Sequence, residues 1–297
     1  MRRNQHAGRT KDASASRAAL RPLAAAFAVL ASLSLLLSSP VRAADEPPQP
    51  KADANPLYIT LGSYAVWAPR FEGSTRHDIA PWPIISWRRA DEKEWLELPT
   101  DGLDISLIET DNFRAGPVGF LRWQRDNSTI QPRGFSRVGR GHSSIDLSLE
   151  GGGFLEYWPT EWLRTRLEVR ESLLGASGLL AVASTDLVWK PSRDLTMAAG
   201  PRVTLADRRF MTSYYGVSPT QAATSGLSTY APQAGLRSVG AGAFIRYKLS
   251  PNWTTQAFID YNRLTGEAGD SPVILNRGSP DQYMVGLGLS YTFKTPW

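Results

Sequence analysis

The sequence YMVGLGLSYTF, residues 283–293, alternates between two kinds of side chain. Large apolar residues take every second position from Tyr283 to Phe293, and the positions between them hold mostly small or weakly polar residues. This alternation is typical of a β-strand whose two faces meet different environments. Aromatic residues at both ends, with aliphatic residues between, suit a strand that crosses a bilayer. A strand of a soluble β-sandwich could alternate in the same way, so the rest of the chain has to distinguish the two folds.

The same alternation recurs along the chain and predicts eleven further strands. Their ranges are 57–67, 79–88, 95–98, 102–108, 113–124, 145–157, 163–170, 179–190, 195–206, 239–249 and 253–263. Pro81 and Pro83 predict a bulge or a distorted start in the second strand, because proline cannot donate to a strand ladder. We expect the last strand to pair with the first.

Connections of two lengths alternate between these strands. The short ones are at 90–94, 109–112, 158–161, 190–194 and 250–252, and the long ones are at 68–78, 125–142, 207–236 and 264–281. Outer-membrane barrels have short periplasmic turns and long external loops, and an even number of strands. The chain is therefore predicted to be all-β, a transmembrane antiparallel up-and-down barrel of twelve strands, or of ten if two segments are discounted. The longest connection, 207–236, is expected to be a surface loop with a role, or disordered.

Residues 1–43 have the composition of a cleaved signal peptide. Six basic residues precede an apolar run at 23–37, and Val41-Arg42-Ala43 fits a cleavage site. The apolar run is short for a transmembrane helix, which disfavours a retained signal anchor. Residues 44–56 are rich in proline and charge and predict a flexible periplasmic lead-in. The barrel is then expected to comprise residues 57–297.

Removal of the leader changes the charge of the chain. The leader holds seven Lys/Arg and one acid, and subtracting these from 33 and 28 leaves 26 basic and 27 acidic residues. The sequence pI near 9.5 therefore comes largely from the leader and does not indicate nucleic-acid binding. The chain contains no cysteine, which excludes disulfides, thiolate chemistry and a lipidated cysteine.

Charged residues occupy the face of the central strands opposite to the apolar one, which in a barrel is the lumen. The candidate lumen charges are Arg164, Arg166, Glu168, Arg170, Glu150, Glu156, Asp186, Arg202, Arg246 and Asp260. The arginines could make an anion-selective channel, or they could pair with the acids and plug the lumen. The second interpretation is favoured because barrels of this strand number have little free lumen.

No set of residues predicts catalysis or a cofactor. Beyond the leader there are only two histidines, His77 and His142. Ser143 would point to the opposite strand face from His142, and Ser144 would share its face with poor geometry for serine chemistry. Two scattered histidines without cysteine cannot form a zinc cage. The prediction is a non-enzymatic protein without a cofactor.

Several short stretches, in order and over some 220 residues, resemble the MipA/OmpV family of outer-membrane proteins. They lie at 69–74 (PRFEGS), 101–103 (DGL), 200–202 (GPR), 214–218 (YYGVS), 270–273 (DSPV), 277–279 (RGS) and 286–293 (GLGLSYTF). The resemblance covers essentially the whole mature chain. One departure is that four residues follow Phe293, so either Phe293 or Trp297 would serve as the terminal aromatic read by the assembly machinery.

The resemblance implies an outer-membrane β-barrel of a Gram-negative cell. In the family's namesake it implies a scaffold in peptidoglycan remodelling, which links a murein lytic transglycosylase and a penicillin-binding protein. Another branch of the family is associated with surface antigenicity and adhesion. We therefore expect a scaffold in contact with outer-membrane lipid, with a narrow channel for small solutes or a surface adhesin as alternatives. The family supplies no catalytic residues.

Overall fold

A computed structural model describes residues 55–123, 147–174 and 178–295 of the chain. Within these ranges, twelve strands form one antiparallel sheet that curls into a nearly closed barrel. The predicted all-β barrel is confirmed. No helix in the described ranges has the length and apolar character needed to cross a membrane. The signal peptide, residues 44–54 of the lead-in, the 125–142 loop with His142, and Trp297 lie outside the described residues.

The strands lie close to the positions that the alternation predicts. They are β1 Leu57–Pro69, β2 His77–Arg89, β3 Leu103–Asp104, β4 Ile108–Glu109, β5 Phe113–Trp123, β6 Leu147–Thr160, β7 Leu163–Leu174, β8 Leu179–Trp189, β9 Leu195–Ala206, β10 Gly235–Lys248, β11 Trp253–Leu264 and β12 Asp281–Lys294. The order around the sheet is β2-β1-β12-β11-β10-β9-β8-β7-β6-β5-β3, and β4 also pairs with β5.

The last strand pairs with the first, as predicted. β12 and β1 run antiparallel, and their register extends from Tyr58 opposite Lys294 to Trp67 opposite Val285. The start of β1 and the last residues of β12 therefore lie at the same end of the barrel as the short turns. By the rule for outer-membrane barrels, this end faces the periplasm and the opposite end is external.

Alternate residues of the strands place an apolar surface on the outside of the barrel. On β7 and β8 the outward residues Leu167, Val169, Leu187 and Trp189 are exposed, whereas their neighbours along each strand are buried. Soluble proteins rarely expose so many large apolar side chains to water. The apolar exterior therefore fits a hydrocarbon environment, because membrane barrels have apolar outer surfaces.

The prediction of a bulge or a distorted start at the prolines of β2 was wrong. Its ladder with β1 is continuous from Leu57 opposite Arg89 to Pro69 opposite His77, without a shift in register. Pro81 and Pro83 are two residues apart, so their nitrogens face the same side of the strand. β2 ends the sheet and pairs only with β1, so this side is the open edge, where no ladder hydrogen bond is lost.

Two further predictions for this region were wrong. Residues 95–98 form no strand, and 102–108 is divided into the short strands β3 and β4, which pair with consecutive parts of β5. Residues 90–102, called the lumen connector below, run from the periplasmic end of β2 into the barrel interior, where Trp95, Leu96 and Leu98 are buried. These side chains prefer the lumen to the bilayer, because Trp95 donates a hydrogen bond to Glu109 and packs near Trp158.

Two of the long external connections contain helices that the alternation did not predict. They are α1 Arg208–Tyr215, α2 Pro219–Ser225, α3 Gly266–Gly269 and α4 Pro272–Arg277. The segments 207–236 and 264–281 are together called the external cap below. Phe210, Met211 and Tyr215 of α1 pack with Leu264 and Ile274 in one buried cluster. The 207–236 segment is therefore a packed structure and not a disordered loop.

Candidate functional site

The interior of the barrel is occupied by one continuous network of ion pairs. It joins seven arginines to eight carboxylates across the lumen. Its members are Arg114, Arg122, Arg164, Arg166, Arg170, Arg202, Arg237, Glu72, Asp101, Asp104, Glu150, Glu156, Glu168, Asp186 and Asp260. We call this set the ion-pair network. It contains nine of the ten candidate lumen charges.

Arg164 is the centre of the network and is fully buried. Its guanidinium contacts Asp101 of the lumen connector, lies 2.8 Å from Glu156 Oε2 and lies 3.0 Å from Asp186 Oδ2. Glu156 also accepts from Arg114 and from Arg166, 2.9 Å from its Nη1. A buried charge is stable only when it is paired and hydrogen-bonded, and these contacts meet that requirement.

An ion pair of the network can pass over an intervening strand where the inward residue of that strand is glycine. Arg202 of β9 reaches Asp260 of β11 above Gly242 of the intervening strand. A Cβ atom at Gly242 would lie 2.6 Å from Arg202 Nη1 and 2.9 Å from Asp260 Oδ2. Glycine at this position is therefore a condition for the Arg202–Asp260 contact.

The external end of the network lies beneath the external cap. Arg122 and Arg237 both contact Glu72 of the loop between β1 and β2, and the Tyr215 hydroxyl donates to the same carboxylate. The two guanidinium carbons lie 5.6 and 6.0 Å from the ring centre of Phe210. Arginine above an aromatic face gains cation–π attraction. Burial raises the pKa of Tyr215 well above its ordinary value. The Glu72 carboxylate raises this pKa further, because ionisation would place a second negative charge beside it.

Arg246, the tenth candidate, lies apart from the network at the periplasmic end. It contacts Glu94 of the lumen connector at 3.0 Å. Lys248 and Arg88 approach the same carboxylate at 3.1 and 4.0 Å. Three cations thus converge on one acid at the periplasmic mouth of the lumen.

Among the described residues, the lumen connector lines two cavities of the interior. The larger, about 740 Å³, includes the periplasmic mouth, and the smaller, about 240 Å³, lies beneath the external cap. Pro99 and Asp101 line both. Asp101 is held by Arg164, so the connector separates the two cavities through an ion pair of the network.

Of the residues weighed for catalysis, His77 lies in the described part of the chain, whereas His142, Ser143 and Ser144 lie outside it. The His77 ring stacks on Trp67 at a centroid distance of 3.9 Å, at the external end of β2. In the ranges that the structure describes, no three His, Cys, Asp or Glu side chains cluster as a metal site would require. The chemistry of the interior is charge pairing.

Sequence reasoning missed six members of the network. Arg114 and Arg122 alternate with apolar residues on β5, a signal that could have found them. Asp104 alternates with Leu103 and Ile105 in the predicted strand 102–108, which is the same signal. Glu72, Asp101 and Arg237 lie outside the predicted strands, where alternation carries no information about direction.

The fold and the interior together define the class of the protein: a membrane-spanning antiparallel β-barrel with an apolar exterior and an ion-paired interior. A family model described as MltA-interacting protein MipA matches residues 61–293. The chain belongs to this family, which confirms the resemblance seen in the sequence. No curated protein matches the chain significantly.

Several solved barrels are similar in fold to this chain. An outer membrane channel from Pseudomonas putida F1 is 9% identical, with 84% of this chain and 100% of that chain covered and a TM-score of 0.38. The NanC porin is 10% identical, with 79% and 98% covered and a TM-score of 0.38. OprG from Pseudomonas aeruginosa is 11% identical, with 80% and 96% covered and a TM-score of 0.26.

Proposed function

We propose that the protein is a non-enzymatic outer-membrane barrel that scaffolds peptidoglycan-remodelling enzymes at the periplasmic face. Its partners are a murein lytic transglycosylase and a penicillin-binding protein, and it is exported to the outer membrane by a cleaved signal peptide, residues 1–43. The family description, which names an interaction with MltA, supports the first partner. The second partner rests on the resemblance to the family's namesake.

The observation that carries the proposal is the occupation of the lumen by the ion-pair network. A channel needs a continuous path for water, whereas here buried charges neutralise one another across the barrel. The external cap covers the other end with the buried residues Phe210, Met211 and Tyr215. A barrel whose interior is filled in this way is expected to act through the surfaces at its periplasmic and external ends.

The periplasmic face offers short, rigid turns and the start of the lead-in. The turn between β8 and β9 presents exposed Arg193 and Asp194, and the turn between β6 and β7 presents exposed Trp162. An exposed aromatic beside charges of both signs is a composition found at protein interfaces. We place the docking surface on these turns.

A pull-down from solubilised cell envelopes tests the proposal. Immobilised mature protein is expected to capture a lytic transglycosylase and a penicillin-binding protein. The charge-reversing double variant Arg193→Glu, Asp194→Arg should lose them, because it inverts the surface that the partner meets. The matched control, Arg209→Glu at the external end, should retain both. Capture of neither enzyme by the unaltered protein would contradict the scaffold.

A narrow channel is the second candidate, and the two cavities favour it. The lumen connector lines both the cavity of about 740 Å³ and the cavity of about 240 Å³, and its displacement is expected to join them. Single-barrel recordings in planar bilayers test this function, and unitary conductance steps would support it. Surface adhesion through the long external loops, the third possibility, predicts that host-cell binding falls when the 125–142 loop is deleted.

A further inference from the structure

The barrel wall has a discontinuity between β2 and the short strands β3 and β4. These elements are the two ends of the sheet path, and no backbone hydrogen bond joins them in the described part of the chain. Unpaired strand edges are costly in hydrocarbon, because water is not available to satisfy them. Pro81 and Pro83 lower this cost on β2 by removing two N–H groups from the open edge. We call this discontinuity the seam.

The larger cavity extends through the seam. Its lining includes inward residues of the lumen, among them Ser86 and Gln256, and also the outward residues Ile85 of β2 and Leu103 of β3. A space lined by both faces of the wall connects the lumen with the bilayer. Its volume of about 740 Å³ is within the range of sites for small ligands.

The two halves of this space differ in chemistry. The bilayer side is apolar and is lined by Ile85, Trp87, Leu103 and Ile105. The lumen side carries the charges of the periplasmic mouth. A ligand that fills both halves must therefore be an amphiphile, with its apolar part in the bilayer and its polar part in the lumen.

The charges of the lumen side have both signs. Arg88, Arg246 and Lys248 converge on the single carboxylate of Glu94, so cations are locally in excess. Glu97 lines the same cavity as an exposed side chain. A phosphate complements the cations, and a primary ammonium complements Glu97. The carboxylate of a fatty acid could contact the same cations, but it brings no ammonium and would leave Glu97 without a positive partner from the ligand.

We propose that the seam binds one zwitterionic phospholipid of the periplasmic leaflet. Its phosphate contacts Arg88 and Lys248, its ammonium contacts Glu97, and its acyl chains leave the barrel between β2 and β3. The end of β2, which pairs with the start of β1, and the β4–β5 pairing near the start of β5 place the charged part of the seam at the periplasmic end, where this leaflet lies. The site is independent of the protein partners proposed above.

Native mass spectrometry of the full mature barrel, released from detergent with added lipid, tests the site. With phosphatidylethanolamine as probe, the protein is expected to retain one molecule, in preference to oleate. Arg88→Gln with Lys248→Gln should weaken retention by at least about tenfold, since loss of even one of the two charge-assisted hydrogen bonds has an effect of that size. Ile85→Asn with Ile105→Asn should weaken it as well, because these changes make the bilayer side polar.

Controls separate binding at the seam from lipid held elsewhere on the barrel. Leu187→Asn alters the apolar exterior away from the seam, and Arg209→Gln removes an external cation. Both should retain phosphatidylethanolamine as the unaltered protein does, and heat-modifiable gel mobility confirms that each variant is folded. Equal retention of oleate, or equal loss in the seam variants and the controls, would overturn the proposal. Retention of no lipid by the unaltered protein would overturn it too.

Discussion

Arg202 on β9 contacts Asp260 on β11 across the strand between them, with 3.4 Å separating Nε and Oδ2. Gly242 of β10 lies opposite Asp260 in the register and leaves the space through which the arginine passes. The contact joins β9 and β11, which are not neighbours in the sheet. The Arg202–Asp260 ion pair therefore depends on the absence of a side chain at Gly242.

Gly242→Val should destabilise the barrel by about 1–3 kcal/mol, because the new side chain overlaps Arg202 and Asp260. Gly235→Val is the matched control, since a Cβ atom at Gly235 meets nothing within 4 Å. Urea unfolding of both variants in the same lipid or detergent measures the difference. Equal stabilities would show that Arg202 does not depend on the space above Gly242.

Arg164→Met should be among the most destabilising substitutions in the chain. It leaves Asp101, Glu156 and Asp186 without the cation that they share, and removal of one partner from a buried ion pair costs about 3–5 kcal/mol. The control is Arg209→Met, whose ion pair is exposed and should contribute little. An Arg164 variant as stable as the control would mean that the interior is hydrated and the network dispensable.

The external cap should loosen in alkaline solution before the barrel does. Burial raises the pKa of Tyr214 to about 12 from an ordinary value of 10. The corresponding stability is fully present below pH 10 and is lost as the pH rises through the folded-state value. Tyrosinate absorbance during a pH titration measures this, and Tyr214→Phe should remove one late-titrating group. Ionisation of all tyrosines near pH 10 would contradict the buried position of Tyr214.

Phe210→Ala should open the external cap without unfolding the strands. The Phe210 ring is fully buried and stacks on Tyr214 at 4.2 Å, and loss of a buried aromatic costs about 3–5 kcal/mol. Limited proteolysis should then cleave the 207–236 segment faster, while the barrel core stays resistant. Thr212→Ala on the exposed side of the same helix is the control. Unchanged cleavage in the Phe210 variant would show that the cap is held by other contacts.

Period-2 alternation predicted most of the strands because each one separates an apolar exterior from a polar interior. β9 spans the predicted residues 195–206, and the pairing of β12 with β1 was also expected. The alternation failed at 95–98, where Trp95, Leu96 and Leu98 are buried inside the lumen and not on a wall. A short apolar segment has the same pattern in either place, so only tertiary contacts distinguish them.

The interior could be predicted in outline only. Arg164, Arg166 and Arg170 lie on one face of a clearly alternating strand, and their direction follows from that pattern. Their partners Asp101 and Asp104 come from the lumen connector and from the short strand β3, whose position depends on how the chain enters the barrel. The helices of the external cap are too short to show a long amphipathic period. Their signal lies at the helix ends, as in the capping box of Ser218 and Gln221, and strand alternation does not read it.

The occluded interior is the central claim, and conductance tests it most directly. The mature protein is reconstituted as single barrels in planar bilayers, and a variant that lacks residues 91–100 of the lumen connector serves as the comparison. The ion-pair network, the lumen connector and the external cap together predict no unitary conductance steps for the unaltered protein. The deletion variant is expected to show steps, because removal of the connector joins the two cavities. Regular steps from the unaltered protein, of the same size as those from the deletion variant, would contradict an occluded lumen.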